Sequence, residues 1–163
     1  MQRGWRDKTE TYSNTSRRKI ILGRNYLFDT MVHVAAVHRV PEKWLRQWKD
    51  ATIGHGRLLL FDSLIAELFF RLAKKFGAKV AEERILWLKS LPNSFEVTIN
   101  NRLARQAACL LLKFKKYGLG LTDAFMMSIA IDQRATIFTT DRGLRDACRQ
   151  SGVDVSYLPL ESL

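Results

Sequence analysis

The sequence predicts an α/β protein in which short parallel strands are joined by helices that cover the sheet on both faces. Three observations carry this. Short apolar runs alternate with longer stretches of helical periodicity from residue 26 onward. Strands separated by helices imply right-handed crossovers and therefore a parallel sheet. The chain has 163 residues, is 47% hydrophobic and 26% charged, and so has the size and composition of one domain with its own core.

The elements follow in order. Residues 1–24 hold seven basic and two acidic residues, and the first 16 are rich in Ser, Thr and Asn without strand or helix period. They are expected to form a flexible basic arm, with 25–163 as the folded domain. Tyr26-Leu27-Phe28 reads as a strand ending at Asp29. Pro41 opens a helix carrying Trp44, Leu45 and Trp48, at a position proline tolerates. Leu58-Leu59-Leu60-Phe61 is the second strand. Ser63 is expected to cap a helix with apolar residues at 64, 68, 72 and 76. Ala81, Ile85 and Leu88 mark another helix, stopping near Pro92. Phe95–Ile99 alternates weakly, as a short edge strand does. A helix over 101–117 ends at Gly118, and Thr122 is expected to cap a helix running to about Arg134. Thr136–Thr139 is a strand, 141–150 a helix, and Val153–Tyr157 the last strand.

Twenty-seven Lys and Arg against 16 Asp and Glu give a net charge of +11, which suggests a polyanion, nucleic acid being the commonest. Cys109 and Cys148 form no CxxC pair and suit a reducing compartment, so the expected location is cytoplasmic. No apolar run approaches membrane-spanning length and the N-terminus is polar, so neither membrane insertion nor a signal peptide is expected.

In open parallel sheets the ligand site lies beyond the carboxyl ends of the strands. Asp29 directly follows the first strand, Asp62 the second and Asp141 the fourth. Glu67 is the single charge in Leu64–Phe70, and Asp123 begins a helix whose next eight residues include one polar side chain, Ser128. Crowded carboxylates repel one another and are tolerable around a divalent cation, for which oxygen ligands suit Mg²⁺ or Mn²⁺. Asp123 and Asp141 also read as ordinary helix-start residues, and Asp62 as a cap. Glu67 has the strongest claim to a function, because a carboxylate in an apolar run is costly unless paired or liganded.

These segments together resemble a family. Tyr26-Leu27-Phe28-Asp29-Thr30, Ser63-Leu64-Ile65-Ala66-Glu67-Leu68, Leu121-Thr122-Asp123-Ala124 and Ala135-Thr136-Ile137-Phe138-Thr139-Thr140-Asp141 are similar to the motifs of PIN-domain ribonucleases. The likeness is greatest to the toxins of VapBC toxin–antitoxin pairs. It implies a three-layer α/β/α fold with a five-stranded parallel sheet of order 3-2-1-4-5. It implies Mg²⁺- or Mn²⁺-dependent cleavage of single-stranded RNA, with metal-site and catalytic roles for Asp29, Glu67, Asp123 and Asp141 and a supporting hydroxyl at Thr139. It also implies a homodimer and an antitoxin partner. Met31 departs from the pattern, standing where the family often has a small polar residue.

Phosphate must be drawn to an acidic site by its neighbours. Arg102, Arg105, Lys113 and Lys116 fall within about 80° of arc on the 101–117 helix, and with Arg17, Arg18 and Lys19 of the arm they are the candidate RNA contacts. His33, His38 and His55 sit away from the strand ends and read as surface or core residues. A phosphatase of the haloacid dehalogenase type would need a second acid where Met31 stands, and a receiver domain would need paired acids after its first strand. No GxxxxGK[ST] or GxGxxG occurs. A catalytically silent PIN-like RNA-binding module or RNA-processing factor is the alternative reading. Trp44, Trp48, Phe69, Phe70 and Trp87 exceed what one small core needs, so some are expected to face a partner.

Overall fold

The computed structural model describes residues 24–159. The expected arm, with Arg17, Arg18 and Lys19, lies outside the described residues apart from Arg24. The chain runs β1 (Asn25–Phe28), α1 (Thr30–Ala35), α2 (Glu42–Ile53), β2 (Arg57–Leu60), α3 (Asp62–Phe76), α4 (Ala78–Ser90), β3 (Ser94–Glu96), α5 (Asn101–Lys113), a 3-10 turn (Lys115–Tyr117), α6 (Leu121–Gln133), β4 (Ala135–Thr139), α7 (Arg142–Ser151) and β5 (Val155–Tyr157). All pairings are parallel and the strand order is 3-2-1-4-5, as expected. Right-handed crossovers place α1 to α4 on one face of the sheet and α5 to α7 on the other. Chain order therefore reverses between β1 and β4, whose register aligns Phe28 with Phe138. The carboxyl ends of these two strands flank the crevice in which such folds bind ligands.

The core explains why these short strands hold. Leu27 and Phe28 in β1, Leu58 to Leu60 in β2, and Ile137 in β4 are essentially inaccessible. Sheets covered on both sides need such unbroken apolar runs. Phe28 stacks on Phe138 at 4.7 Å and meets Trp48 of α2 edge-on at 4.9 Å. The Trp44 indole donates to Ser156 Oγ at 2.8 Å, which ties α2 to β5. Trp44 and Trp48 thus belong to the core, and of the five aromatics expected in excess only Phe69, Phe70 and Trp87 are exposed. His33 is fully buried against Phe28 and Trp48. Burial first, and then the charge of Arg84, pulls its pKa down to about 3, so it is a neutral core residue.

Several boundaries differ from expectation, each for a local reason. The six-residue α1 was not anticipated, because so short a helix shows no period. Ser63 does not cap α3. Phe61 precedes the helix, and Ser63 lies within its first turn with a buried hydroxyl that has no partner. Likewise α6 starts at Leu121 behind Gly120, not behind Thr122. The edge strand is Ser94–Glu96 rather than 95–99. The expected helix over 101–117 ends at Lys113, since Phe114 leaves helical geometry. Lys116 therefore sits on the 3-10 turn, and the regular arc calculated for the basic stripe stops short of it. Among the described residues no helix is long and apolar enough to cross a membrane.

Candidate active site

Asp29 is held by the register of the two central strands. It follows β1 directly, its backbone N–H donates to the Phe138 carbonyl at 2.9 Å, and its residue is 8% exposed. The buried Thr139 hydroxyl at the end of β4 donates to Asp29 Oδ2 at 2.7 Å. That same hydroxyl accepts the backbone N–H of Asp141 at 2.9 Å. One side chain thus fixes the two strand-end acids relative to each other. Asp141 caps α7, with Oδ1 accepting from the Leu144 N–H at 2.8 Å. Asp123 lies in the first turn of α6, where Oδ2 accepts from the Gly120 N–H at 2.8 Å. The expected cap roles of Asp123 and Asp141 are both present, and they aim rather than exclude these groups.

Glu67 reaches the same place from the second turn of α3. That helix buries Leu64, Leu68 and Leu72, whereas Phe69 and Phe70 are exposed. The apolar run is therefore not a wholly buried face, and Glu67 stands half-buried on its flank. Arg71, one turn on, approaches Glu67 Oε1 at 3.6 Å. The pair is partly exposed and contributes little to stability.

The four acids line one cleft of about 590 Å³, together with Met31, Arg71 and Arg142. Their fields overlap. Burial, with Asp123 and Glu67 nearby, pushes the Asp29 carboxyl up to about 7 against the opposing Thr139 bond. Asp123 is pushed up to about 6, again by burial first and then by Asp141 and Glu67. Such convergence of desolvated carboxylates is a functional signature with a physical basis. Arg71 and Arg142 were missed from sequence. The first is signalled by its i,i+4 spacing from Glu67, the second by adjacency to Asp141.

Among the described residues no three Asp, Glu, His or Cys side chains close on a common point as a protein cage around an ion would. The donor chemistry nevertheless fits a hard divalent cation. The lining acids are all-oxygen ligands, and among the described residues Asp29 and Asp123 form no ion pair with a cation. Mg²⁺ commonly binds through one or two carboxylates and retains several waters, so it does not require a closed cage.

The candidate basic stripe is divided by position. Arg102 pairs with Asp132, nine residues beyond Asp123 and about 13 Å further along α6. This places it at the far end of the helix from the acids. Lys113 and Lys116 lie at the opposite end of the hairpin between α5 and α6, over the rings of Phe114 and Tyr117. Arg105 is exposed. The 3-10 turn packs tightly on α7: a side chain at Gly143 would come within 2.3 Å of the Tyr117 carbonyl oxygen. Glycine there permits the close approach of the 3-10 turn to the start of α7, beside Asp141 and Arg142.

The profile of the PIN domain family matches residues 26–150. No curated protein matches the chain. Among solved structures, VapBC2 from Rickettsia felis bound to a promoter DNA fragment is similar at a TM-score of 0.63 and 16% identity, over 82% of this chain and 98% of that one. VapBC-1 from nontypeable Haemophilus influenzae is similar at 0.59 and 16%, over 82% and 97%. FitAcB from Neisseria gonorrhoeae is similar at 0.58 and 22%, over 80% and 95%. At these identities the likeness establishes the fold.

Proposed function

The chain belongs to the PIN domain family, and from that membership we propose that it is a metal-dependent endoribonuclease cleaving single-stranded RNA. PIN nucleases generally use divalent metal ions. The carrying observation is the gathering of Asp29, Glu67, Asp123 and Asp141 around one cleft at the point where strand order reverses. A divalent ion, Mg²⁺ or Mn²⁺, bound there supplies charge neutralisation at phosphate and an activated water. The protein's part is orientation. Thr139 holds Asp29, while the Gly120 and Leu144 amides hold Asp123 and Asp141. Arg71 and Arg142 stand where they attract the phosphate backbone toward an otherwise acidic cleft.

The purified protein is expected to cut an end-labelled unstructured RNA in Mg²⁺ or Mn²⁺ and to stop when EDTA is added in excess. Undiminished cutting in EDTA overturns the reading.

The RNA approach is proposed to be electrostatic and sequence-independent. Deleting residues 1–19, or changing Arg102, Arg105, Lys113 and Lys116 to Gln, is expected to flatten the slope of log affinity against log salt without abolishing cleavage. Lys113 and Lys116, at the α6-entry end, are expected to account for more of this than Arg102. An unchanged slope after both alterations shows these charges to be solvated surface.

We also propose that the protein acts as the toxin of a toxin–antitoxin pair and forms a homodimer. The fold shared with the VapBC and FitAcB assemblies supports an antitoxin partner. The exposed aromatics Phe69 and Phe70 on α3 and Trp87 on α4 favour a second protein surface over water. Light scattering at micromolar concentration is expected to give a dimer, and a Phe69→Ser, Phe70→Ser variant a monomer. A monomeric parent protein overturns the dimer.

A further inference from the structure

The acidic cleft has two walls, one from each layer of the fold. On one side α1 and α3 supply Met31, Glu67 and Arg71. On the other, the first turns of α6 and α7 supply Leu121, Asp123 and Arg142. Each wall carries one acid, one arginine and one apolar side chain. With the acids given to metal and the arginines to phosphate, the apolar pair is left without a task.

Met31 and Leu121 have no structural use either. Buried residues adjoin both of them, Thr30 and Val32 around Met31 and Ala124 three positions after Leu121. Yet neither Met31 nor Leu121 belongs to the hydrophobic core or packs against it. Leu121 is 58% exposed at the first position of a helix whose interior is almost wholly buried. An acidic side chain there would suit the helix dipole better. Met31 stands half-buried in the first turn of α1, and its unbranched thioether adapts to partners of varied shape. Apolar side chains that line a wet cleft from both sides gain by covering each other's water-facing area with an apolar guest.

The guest must combine an anionic part, for the metal and the arginines, with a flat apolar part. An unstacked nucleotide of an RNA strand has both. Leu and Met serve as wedges between bases in proteins that part them. Single strands are held through base faces because every base has one. Among the described residues the lining holds no amide or imidazole to read a base edge, whereas the Thr122 and Thr140 hydroxyls suit ribose.

We propose that Met31 and Leu121 grip between them the two faces of one base beside the phosphate that is cut. The assignment rests on the ribonuclease reading and adds to it the form of the substrate, a nucleotide out of its stack with little regard to which base it carries. Paired RNA offers no free base face, so the clamp restricts the cleft to single strands.

The test uses the full chain in EDTA with a labelled 12-nucleotide RNA of mixed sequence and an abasic counterpart with the same number of phosphates, read by fluorescence anisotropy. Both strands carry the same charge, so the electrostatic part of binding cancels in the ratio of their affinities. The parent protein is expected to bind the base-bearing strand at least about tenfold more tightly, and homopolymers of A, C and U within about tenfold of one another. Met31→Ser combined with Leu121→Ser is expected to bring the ratio below about three by weakening the base-bearing strand while leaving the abasic one unchanged. Leu121→Ser alone, at an exposed position that does not endanger the fold, is expected to lower the ratio at least about twofold. Cleavage of the same strands in Mg²⁺ is read separately. A parent that prefers the base-bearing strand but cuts neither sinks the ribonuclease reading and leaves the clamp standing. A parent that cuts RNA but binds both strands alike, failure to bind the base-bearing strand, or an unchanged ratio in the folded variants each overturns the clamp.

Discussion

Asp29→Asn is expected to reduce RNA cleavage by at least about 100-fold, and at the same time to make the metal-free protein more stable at pH 8. The two effects have one cause. Asn keeps the shape and accepts the Thr139 hydroxyl, but it brings no charge into a buried corner shared with Asp123 and Glu67. In the parent protein the Asp29 carboxyl is raised from 3.8 to about 7. Between those values the folded chain holds a proton that the unfolded chain has released. Stability therefore falls as pH rises through that window, and the loss is complete above it. A shift of this size corresponds to about 4 kcal/mol, which the Asn variant regains. Asp123→Asn is expected to act in the same two directions with a smaller stability gain, since Asp123 is raised less, to about 6. Thermal melts at pH 5 and pH 8 with EDTA, set beside single-turnover cleavage in Mg²⁺, test both halves. Full activity of either variant overturns the mechanism. A metal-free Asp29→Asn protein less stable than its parent at pH 8 overturns the electrostatic account of the corner.

Thr139→Val is expected to lower cleavage by about 10- to 100-fold while leaving the fold intact. Valine fills the same buried space at the end of β4 but removes two contacts at once. Asp29 Oδ2 loses its donor, and the Asp141 amide loses its acceptor. Both strand-end acids are then oriented by packing alone. Thr139→Ser, which retains the hydroxyl, is expected to recover most of the activity. A Val variant as fast as the parent, or a Ser variant as impaired as Val, shows that Thr139 acts through packing and not through its hydroxyl. Because the hydroxyl also opposes the upward push on Asp29, the Val variant should lose metal-free stability more steeply between pH 5 and pH 8.

Much of the cleft's lining is legible in the sequence. Strand ends are marked locally, by an apolar run that stops at a charge, and Asp29 and Asp141 both stand at such stops. A parallel sheet brings its carboxyl ends to one edge, so these acids were bound to be neighbours. Asp123 was legible as the acid at the start of a nearly all-apolar helix. Glu67 stands out in the sequence as the single charge in an apolar run, but that run is apolar around much of its helix's circumference while one face is buried. The capping residues are not legible in the sequence, because several polar residues near each helix start compete for the role and backbone geometry chooses among them. For α3 it chose none, and for α6 it used Asp123 reaching back to Gly120.

The sequence alone determined the alternation of strands and helices, the parallel sheet and the identity of the acids, because each is written in a period or a dipeptide within a few residues. Tertiary structure alone decided which side chains share a cleft, which tryptophans fill the core and which charges stand far from the acids. Thr139 and Asp29 are 110 positions apart and meet through the pairing of β1 with β4. Arg102 lies 21 positions before Asp123 and is carried to the far end of the hairpin by the antiparallel packing of α5 on α6. Burial and electrostatic coupling depend on distances in space, and only the folded chain sets those distances.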